Sequence, residues 1–446
     1  MKLPILLALP LMLLCASCSV ANPVAPTPVL TSTPTEVPTI TPTPSVCVGE
    51  PMPTHSLVST STPVMQANPE ISKDQQLKVL DSLSSIVTEE YLYPDFNGLD
   101  WPTTVARYRA QVQAGLDTET FYAEMDKLVA ELNDTDSAFY SPLDYASLPS
   151  RSGGKKASDV GIGIVRVLKK DKIVIQMVLP GSPAERAGLK DHDSILAIDG
   201  LPIIQDGVDT SLRLIDVQCS AVTLSVQSPG EQARDVTILR QGTPQNYPVI
   251  SRLLETADGS RIGYISLPLY FMEYTPAQVE KALIDFGSLN GLILDARINQ
   301  GGDYQSIYTM MGHFTSGTIG HFVSRYETTP VEITPQPLAD YQDVPLVVLI
   351  DTERLDYHQI FFASLQAMGR ARVVGSASSI KARWVRTSST LADDSTVEFL
   401  YQRFEPITKV DWSKPGFIPD AVVEADWDTF TFETDPFIAA ALKLLQ

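Results

Sequence analysis

The stretch ERLDYHQIFF, residues 353–362, has the position of a catalytic nucleophile but not the side chains of one. An apolar run typical of a buried strand, VPLVVLI (344–350), precedes it, and a run typical of a helix, QIFFASLQAM (359–368), overlaps its end. A sharp turn from strand to helix offers backbone N–H groups and the positive end of a helix dipole to a developing anion. Thr352 is the only serine, threonine or cysteine at this turn, so the usual nucleophile is missing.

Other residues that could act as nucleophiles or metal ligands carry weaker signals. Ser376, Ser378 and Ser379 fall in GSASSI, which is typical of a polar loop rather than of a strand–helix turn, and no G-x-S-x-G occurs. Asp356 and His358 could be part of a metal pair or a triad, but side chains two residues apart on a helix diverge, which favours a surface histidine. The five histidines show no H-E-x-x-H or other metal spacing, so we expect no metal and no other cofactor.

Length and charge limit the classes of function. The chain has 446 residues, enough for two or three domains. Its 53 acidic residues outnumber its 33 basic ones, which gives a formal net charge of −20. Such a balance argues against nucleic-acid binding and against docking on anionic lipid headgroups, but it does not choose a substrate.

The N-terminus has the pattern of a targeting segment. Lys2 precedes the apolar run 3–14, which is about as long as a signal-peptide core and short for a bilayer span. The following CASC resembles a bacterial lipobox, with Cys15 where leucine is usual and small residues before Cys18. This resemblance implies a signal peptide over 1–18, lipidation of Cys18, and an extracytoplasmic lipoprotein anchored to the membrane. The alternative is cleavage nearby and free secretion.

Residues 19–70 have the composition of a linker. The part from 21 to 70 holds 11 of the 33 prolines and no lysine or arginine, so it cannot bury enough apolar surface to offset its ordering entropy. We expect an extended, partly polyproline tether. Cys47 lies in it, and Cys219 is the only cysteine of the remaining chain, so the sequence predicts no disulfide framework. A bridge between these two is the alternative.

The next region predicts helices and then short strands. DQQLKVLDSLSSIVTEEY (74–91) and TETFYAEMDKLVAEL (118–132) carry apolar residues at helical spacing, which predicts a helical N-terminal subdomain over 71–150. Beyond it VGIGIVRV and KIVIQMVL alternate like strands, and PGSPAERAGLKDHDSILAIDG (180–200) follows. The pattern over 158–242 resembles a PDZ domain, which is a β-rich fold that binds peptides.

The resemblance assigns a binding role to one loop. GIGI stands where PDZ domains carry the loop whose N–H groups receive a peptide's terminal carboxylate, and the next strand offers an edge for the peptide. The residues implied in peptide binding are Gly161, Ile162, Gly163 and Ile164. His192 stands where the family usually has glycine, a minor departure at a turn. The alternative is that the glycines merely shape a hairpin.

From about residue 75 to the end, the chain resembles the C-terminal processing peptidases, also called tail-specific proteases. The segments that carry the resemblance are the helical region, the PDZ-like region, GYISLPLYF (263–271), LNGLILDARINQGGDY (289–304), VPLVVLI, GRARVVGSASSIKARWV (369–385), GFIPDAVVEA (416–425) and TDPFIAAALKLL (434–445). The fold implied is α/β, with a serine-peptidase-like core over 250–446 after the helical and PDZ units.

The resemblance also places the catalytic positions. In that family a serine at the helix start attacks the peptide bond, a neutral lysine takes its proton, and a glutamine four residues later orients the lysine. The family segment SASASEI corresponds to RLDYHQI (354–360), which puts Asp356 at the nucleophile position. The intact GRARVVG (369–375) places the general base at Lys381, 25 residues after Asp356, and Val385 at the glutamine position. The base is therefore kept, and the nucleophile and the orienting group are lost.

The replacements are expected to abolish the chemistry. A carboxylate attacks amides poorly, and Asp356 beside Lys381 would favour the protonated lysine, which cannot act as a base. Asp356 with Gln359 instead forms a D-x-x-Q pattern that suits a helix N-cap. Gly301 and Gly302 match the family turn that supplies an oxyanion-hole N–H, but without a nucleophile they would only shape a groove.

Three functions are compatible with these residues. The first is a membrane-anchored pseudoprotease that binds peptide or protein C-termini through its PDZ domain. The second is an active serine-type endopeptidase with an unrecognised nucleophile. The third is a structural scaffold for a partner protein. The retained GIGI loop, together with the lost positions Asp356 and Val385, favours the first.

Overall fold

The structure is a computed structural model that describes residues 31–34, 47, 68–134, 136–147, 160–242, 247–350, 359–376, 385–408 and 417–446. Its α-helices are Lys73–Glu90, Trp101–Ala114, Thr118–Ala130, Pro142–Ser147, Pro183–Arg186, Thr275–Phe286, Tyr304–Met311, Gln359–Ala367 and Pro436–Leu444. The 3-10 helices are Phe96–Gly98, Ser211–Leu214, Trp427–Thr429 and Phe432–Thr434. The predicted α/β class is confirmed, with helices first, a β-rich unit next and a mixed core last.

The helical unit forms because its apolar residues lie on one face and its helix starts are capped. The first helix begins with a capping box in which Ser72 and Gln75 bond each other's backbone. Asp117 caps the helix Thr118–Ala130 by accepting from Thr120 N. The two helices predicted over 74–91 and 118–132 are found within two residues of those bounds.

The β-rich unit is built on one antiparallel sheet. From one edge to the other its strands are Arg234–Leu239, Ala221–Gln227, Ser194–Ile198, Lys172–Val178 and Ile164–Lys169. Two short pairs accompany it, Val160–Gly161 with Gln241–Gly242 and Ile204–Gln205 with Val208–Asp209, and Leu201–Pro202 pairs with Ser194–Ile198. The strand Ile164–Lys169, called the edge strand below, therefore ends the sheet on one side.

The core contains a larger sheet whose central strands are parallel. Its order is Thr31–Pro34, Ile250–Glu255, Arg261–Ser266, Gly291–Asp295, Leu346–Leu349, Arg372–Gly375 and Ala421–Val422. The last five of these strands run parallel to one another. The carboxyl ends of parallel strands share one edge, and in α/β sheets that edge is where ligands bind.

A second antiparallel sheet joins the helical unit to the core. It pairs Thr328–Ile333, Gly317–Ser324, Thr396–Pro406 and Ala138–Tyr140 in this order, and Val385–Thr390 lies beside Thr396–Pro406. Val397 and Phe399 of the long strand pack in the same apolar cluster as the first three helices, whereas Phe404 packs in the core. One strand thus carries hydrophobic contacts of both units.

The N-terminal linker departs from the expected free tether at the residues that the structure describes. Cys47 forms a disulfide with Cys219, so the expectation of no disulfide is wrong. Thr31–Pro34 pairs antiparallel with Ile250–Glu255 at the edge of the core sheet. Both contacts join residues about 170 to 220 positions apart in sequence, which composition and local patterns do not encode. The proposed signal peptide and Cys18 lie outside the described residues.

Within the described parts of the chain, no helix is both long and apolar enough to cross a membrane.

Candidate functional site

The GIGI loop (161–164) is held by backbone bonds on its carbonyl side. Ala184 N donates to Ile162 O at 2.8 Å, and Leu179 N donates to Gly163 O at 3.0 Å. Gly163 has a φ of 80°, which favours glycine because other side chains rarely adopt this left-handed backbone. The loop is therefore a fixed turn whose carbonyls face the protein.

The N–H groups of the loop are free to receive a ligand. Ile162 N and Gly163 N donate no hydrogen bond to any residue that the structure describes. The bond from Leu179 N to Gly163 O makes Ile164 and Val178 a non-hydrogen-bonded pair, so the N–H and C=O of Ile164 face the open side of the edge strand. Successive free amides of this kind form an anion-binding turn.

Apolar side chains accompany these amides. Ile162 is 2% exposed, and it packs in one cluster with Leu214 and the half-buried Ile164. Gly161 lies against the 3-10 helix Ser211–Leu214 and the residue after it, since a Cβ there would be 3.7 Å from Leu214 O. The groove beside the loop thus has the edge strand as one wall and the 3-10 segment as the other.

The glycine turn (299–303) lies at the carboxyl edge of the core sheet. Asn299 donates to Pro268 O at 2.7 Å and accepts from Gly301 N at 3.2 Å. Phe271 N donates to Gly301 O at 2.7 Å. Gly301 and Gly302 both have a φ of 119°, so this turn needs glycine at both positions.

The two glycines differ in whether their N–H is engaged. Gly301 N is bonded to Asn299, whereas Gly302 N donates to no acceptor among the described residues. A Cβ on Gly302 would lie 2.2 Å from Phe271 O and 2.3 Å from Phe271 N. Gly302 is therefore the glycine whose amide could face an oxyanion, and it packs directly against the backbone of Phe271.

A buried charge cluster precedes the glycine turn, and sequence reasoning missed it. Arg297 bonds Asp295 at 2.6 Å and Asp435 at 2.7 Å, and all three side chains are at most 5% exposed. Tyr264 donates to Asp295 at 2.7 Å. The motif DAR in LNGLILDARINQGGDY was visible, but Asp435 is 138 residues away from Arg297 in sequence.

The pKa shifts in this cluster follow from burial and pairing. Burial disfavours the charged form of Asp295, but the charge and hydrogen bonds of Arg297 outweigh burial and hold the pKa of Asp295 below its usual value. Burial likewise opposes the charge of Arg297, and Asp295 and Asp435 together keep its pKa well above the usual range. Burial, with the charge of Asp295, raises the pKa of Tyr264 well above its usual value. The cluster is therefore a charged structural clamp at pH 7.

The strands that precede the predicted catalytic segments in sequence end at one edge of the core sheet. The strands Gly291–Asp295, Leu346–Leu349 and Arg372–Gly375 end in register there, and the glycine turn, the stretch 351–358 and the stretch 376–384 follow them directly. Such an arrangement is what a catalytic centre on an α/β sheet requires.

The individual catalytic assignments remain predictions. Asp356 and Lys381 lie outside the described residues, as do His358, Ser378 and Ser379. Val385 begins the strand Val385–Thr390, whose backbone is described at that point and whose Val385 side chain is not. Among the described residues, no group of three or more His, Cys, Asp or Glu is arranged to hold a metal ion.

His192 is more than a minor departure at a turn. Its φ of 74° explains why glycine suits the position, yet its side chain is 5% exposed. The ring stacks on Trp427 at 4.8 Å, and Nδ1 lies 2.8 Å from Trp427 O. Burial lowers the pKa of His192 despite its bond to Trp427 O, so the ring is neutral at pH 7. Sequence patterns could not reveal a contact with a residue so distant in the chain.

The same C-terminal segment holds the β-rich unit in other ways. Lys172 and Ser194 both donate to Asp428. On the other side of this contact Val165 packs with Leu269 and Ile298 of the core. The β-rich unit is therefore docked on the core through one face, and its groove lies on the opposite face of the edge strand.

Comparisons with known proteins agree on two regions. A model described as "PDZ domain" matches residues 151–227, and one described as "Peptidase family S41" matches residues 261–423. The "Carboxyl-terminal-processing protease" of Synechocystis sp. is 30% identical over 380 residues, covering 83% of this chain and 87% of that protein. The "Carboxyl-terminal-processing peptidase 2, chloroplastic" of Arabidopsis thaliana is 28% identical over 349 residues, covering 75% and 66%.

Solved structures share the fold. The "Photosystem II D1 C-terminal processing protease" superposes with a TM-score of 0.54 at 22% identity, covering 79% of this chain and 94% of that one. A "Putative S41 protease" from Bacteroides fragilis gives a TM-score of 0.57 at 16% identity, covering 85% and 98%. At these identities the likeness establishes architecture, not activity.

Proposed function

Because the chain belongs to the C-terminal processing peptidase family, with its S41 and PDZ regions, we propose that it is a pseudoprotease that binds C-termini without cleaving them. The ligand is a peptide or protein whose last residues enter the PDZ groove. Nucleic acid, metals and cofactors have no part in this function.

One observation carries the binding half of the proposal. Ile162 N, Gly163 N and Ile164 N donate to no acceptor among the described residues, and they lie at the start of the edge strand. A terminal carboxylate can accept from these amides while the preceding residues add a strand to the sheet. The packing of Ile162 and Ile164 with Leu214 favours an apolar last residue.

The alignment with the family supports the loss of catalysis. Asp356 stands at the nucleophile position, and Val385 stands where a glutamine orients the lysine. An aspartate beside Lys381 favours the ammonium form, which cannot accept a proton from any nucleophile. We infer that the retained glycine turn serves the fold and the groove.

A second function, an active serine-type endopeptidase, is favoured by two specific features. Gly302 N donates to no acceptor in the described parts of the chain, as an oxyanion-hole donor would before substrate binds. Lys381 keeps its spacing from the helix start. This function requires a hydroxyl near Lys381 that the family alignment does not identify, and a cleavage assay separates it from the first.

The proposed location is extracytoplasmic, with Cys18 lipidated. The apolar run before Cys18 supports export, and the Cys47–Cys219 disulfide suits an oxidising compartment outside the cytoplasm. Cys18→Ala should move the protein from the membrane fraction to the soluble extracytoplasmic fraction. Unchanged membrane association would remove the lipid anchor from the proposal.

The binding function is tested with matched peptides. A fluorescein-labelled peptide ending in Ala-Val with a free carboxylate should bind the full chain, and the same peptide with an amidated end should bind at least tenfold more weakly. The reason is that an unmet set of donors costs roughly 1–3 kcal/mol. Fluorescence anisotropy measures both affinities, and equal affinities would rule out carboxylate recognition by the loop.

A further inference from the structure

The edge strand of the PDZ region carries a cation, Arg166, beside the proposed groove. Arg166 lies on the edge strand, half-buried, and no described residue accepts a hydrogen bond from its guanidinium. A guanidinium carries five N–H donors and is always charged in proteins. Partial burial without an acceptor is unfavourable, and a ligand that supplies one would relieve it.

The alternation of the edge strand places Arg166 on the groove side. Val165 and Val167 are buried, and Val165 packs against the core. Side chains two apart on a strand share a face, so Ile164, Arg166 and Leu168 point the other way. Ile164 packs against the apolar cluster that includes Leu214 of the opposite groove wall, so we infer that this face lines the groove.

Other charged groups near Arg166 leave it unsatisfied. The carboxylate of Asp209 acts on it electrostatically, but burial prevails and lowers the pKa of Arg166. Asp209 instead accepts hydrogen bonds from the backbone N–H and the hydroxyl of Ser211, at 2.7 and 2.9 Å. The carboxylate of Asp209 therefore bonds Ser211 of the 3-10 helix and does not accept a hydrogen bond from Arg166.

The register of a bound peptide follows from the loop and the strand. A carboxylate on the amides of 162–164 puts the peptide's last residue opposite Ile164. An antiparallel strand then places the third residue from the end opposite Arg166, with both side chains on the same face. The second residue from the end lies opposite Val165 and points away from the groove.

We propose that Arg166 selects peptides with a glutamate or aspartate at the third position from a free C-terminus. The residue contacts the ligand directly, and the guanidinium–carboxylate pair supplies the specificity that the apolar pocket and the backbone amides lack. This inference rests on the proposed peptide-binding function and names the ligands that the groove prefers.

The test uses four peptides and the full-length protein. Two fluorescein-labelled peptides end in Glu-Ala-Val and Gln-Ala-Val, and each is made with a free and with an amidated C-terminus. The native chain should bind the free Glu peptide about tenfold more tightly than the free Gln peptide, a ratio typical of one charge-assisted pair. This preference should shrink at high salt, because the groove is partly open to solvent.

Variants of the arginine assign the preference to its side chain. Arg166→Gln should abolish the difference between Glu and Gln, and Arg166→Lys should keep part of it. Arg166→Glu should reverse the charge preference and favour a peptide ending in Lys-Ala-Val. Lys170→Gln removes one positive charge from the turn at the far end of the same strand and should leave the preference unchanged.

The outcomes separate this inference from the function it rests on. Equal affinity of the native chain for the free Glu and Gln peptides would overturn the role of Arg166, and so would a Glu preference that survives in Arg166→Gln. Equal affinity for free and amidated peptides would overturn the peptide-binding function instead. Circular dichroism of each variant confirms that it is folded before its affinities are compared.

Discussion

Two turns of this molecule offer backbone amides to an anion, and they differ in what surrounds them. The GIGI loop combines amides that donate to no described residue with buried apolar side chains, the edge of a sheet, and Arg166, which has no acceptor in the described parts of the chain. In the glycine turn (299–303) Gly301 N donates to Asn299, whereas Gly302 N donates to no acceptor among the described residues. The family alignment puts Asp356, which lies outside those residues, at the nucleophile position. We propose that the first turn binds a peptide C-terminus and that the second no longer takes part in cleavage.

The difference between the two turns indicates that peptide recognition and peptide cleavage depend on separate sets of residues. Recognition of a C-terminus needs a loop, a strand and a pocket, and all three lie within the PDZ region. Cleavage needs a hydroxyl, a neutral lysine and a group that orients it. We propose that this chain has lost the second set and kept the first, which is feasible because no residue belongs to both.

The largest effect is expected from the clamp behind the glycine turn. Arg297→Met leaves Asp295 and Asp435 buried without a cation, which should destabilise the core by roughly 3–5 kcal/mol. Arg107→Met is the control, because Arg107 pairs with Glu131 at the surface, where such pairs contribute about 0–1 kcal/mol. Urea unfolding of both variants measures the difference in stability. Equal unfolding midpoints would show that the buried charge cluster does not stabilise the core.

The same variant has a predicted pH dependence. In the native chain Arg297 lowers the pKa of Asp295, so the stabilisation is present above the unfolded value of about 3.9 and is lost as pH falls through the folded pKa. In Arg297→Met the buried carboxylate of Asp295 loses its cation, and burial then raises its pKa, so acid stabilises the variant. The gap between native and variant midpoints should narrow from pH 7 to pH 4, and a constant gap would refute this sign.

Much of the fold and both turns could be predicted from the sequence, and the features that could not be predicted share one cause. The helices near 74–91 and 118–132 and the order of the three units follow from local periodicity and motifs. The GIGI loop and the glycine turn are local motifs as well. The Arg297–Asp435 pair, the ring of His192 on Trp427 and the Cys47–Cys219 bond join distant residues, which one sequence does not pair.

The next effect in size tests whether the glycine turn is needed for the fold alone. Gly302→Ala places a Cβ against the backbone of Phe271 and should cost about 3 kcal/mol through overlap and strain. Gly317→Ala is the matched control, since Gly317 has a φ of 82° but no heavy atom within 4 Å of the new Cβ. It should cost about 1 kcal/mol. If thermal unfolding shows the two variants to be equally stable, close packing is not what retains Gly302.

An effect of similar size is expected on the PDZ side. Cys219→Ser removes a bond across a sequence separation of 172 and should destabilise the protein by about 2–4 kcal/mol, less if the unfolded chain is compact. Cys47→Ser and the double variant should match it, because all three lose the same bond. Reduction of the native chain by a dithiol should lower its unfolding midpoint by the same amount, and an unchanged midpoint would show that the bond adds no stability.

Whether a bound peptide is cut decides between the proposed pseudoprotease and an active peptidase. Native chain, Asp356→Ala, Asp356→Ser and Asp356→Ser with Val385→Gln are each incubated with a fluorogenic peptide ending in Glu-Ala-Val, and products are followed by mass spectrometry. We expect the native chain and Asp356→Ala to bind the peptide without cleaving it. The single serine variant should cleave little of it, and the double variant should cleave the most. Turnover by the native chain that disappears in Lys381→Ala would contradict the pseudoprotease function, because the lysine would then act as the base of a working nucleophile.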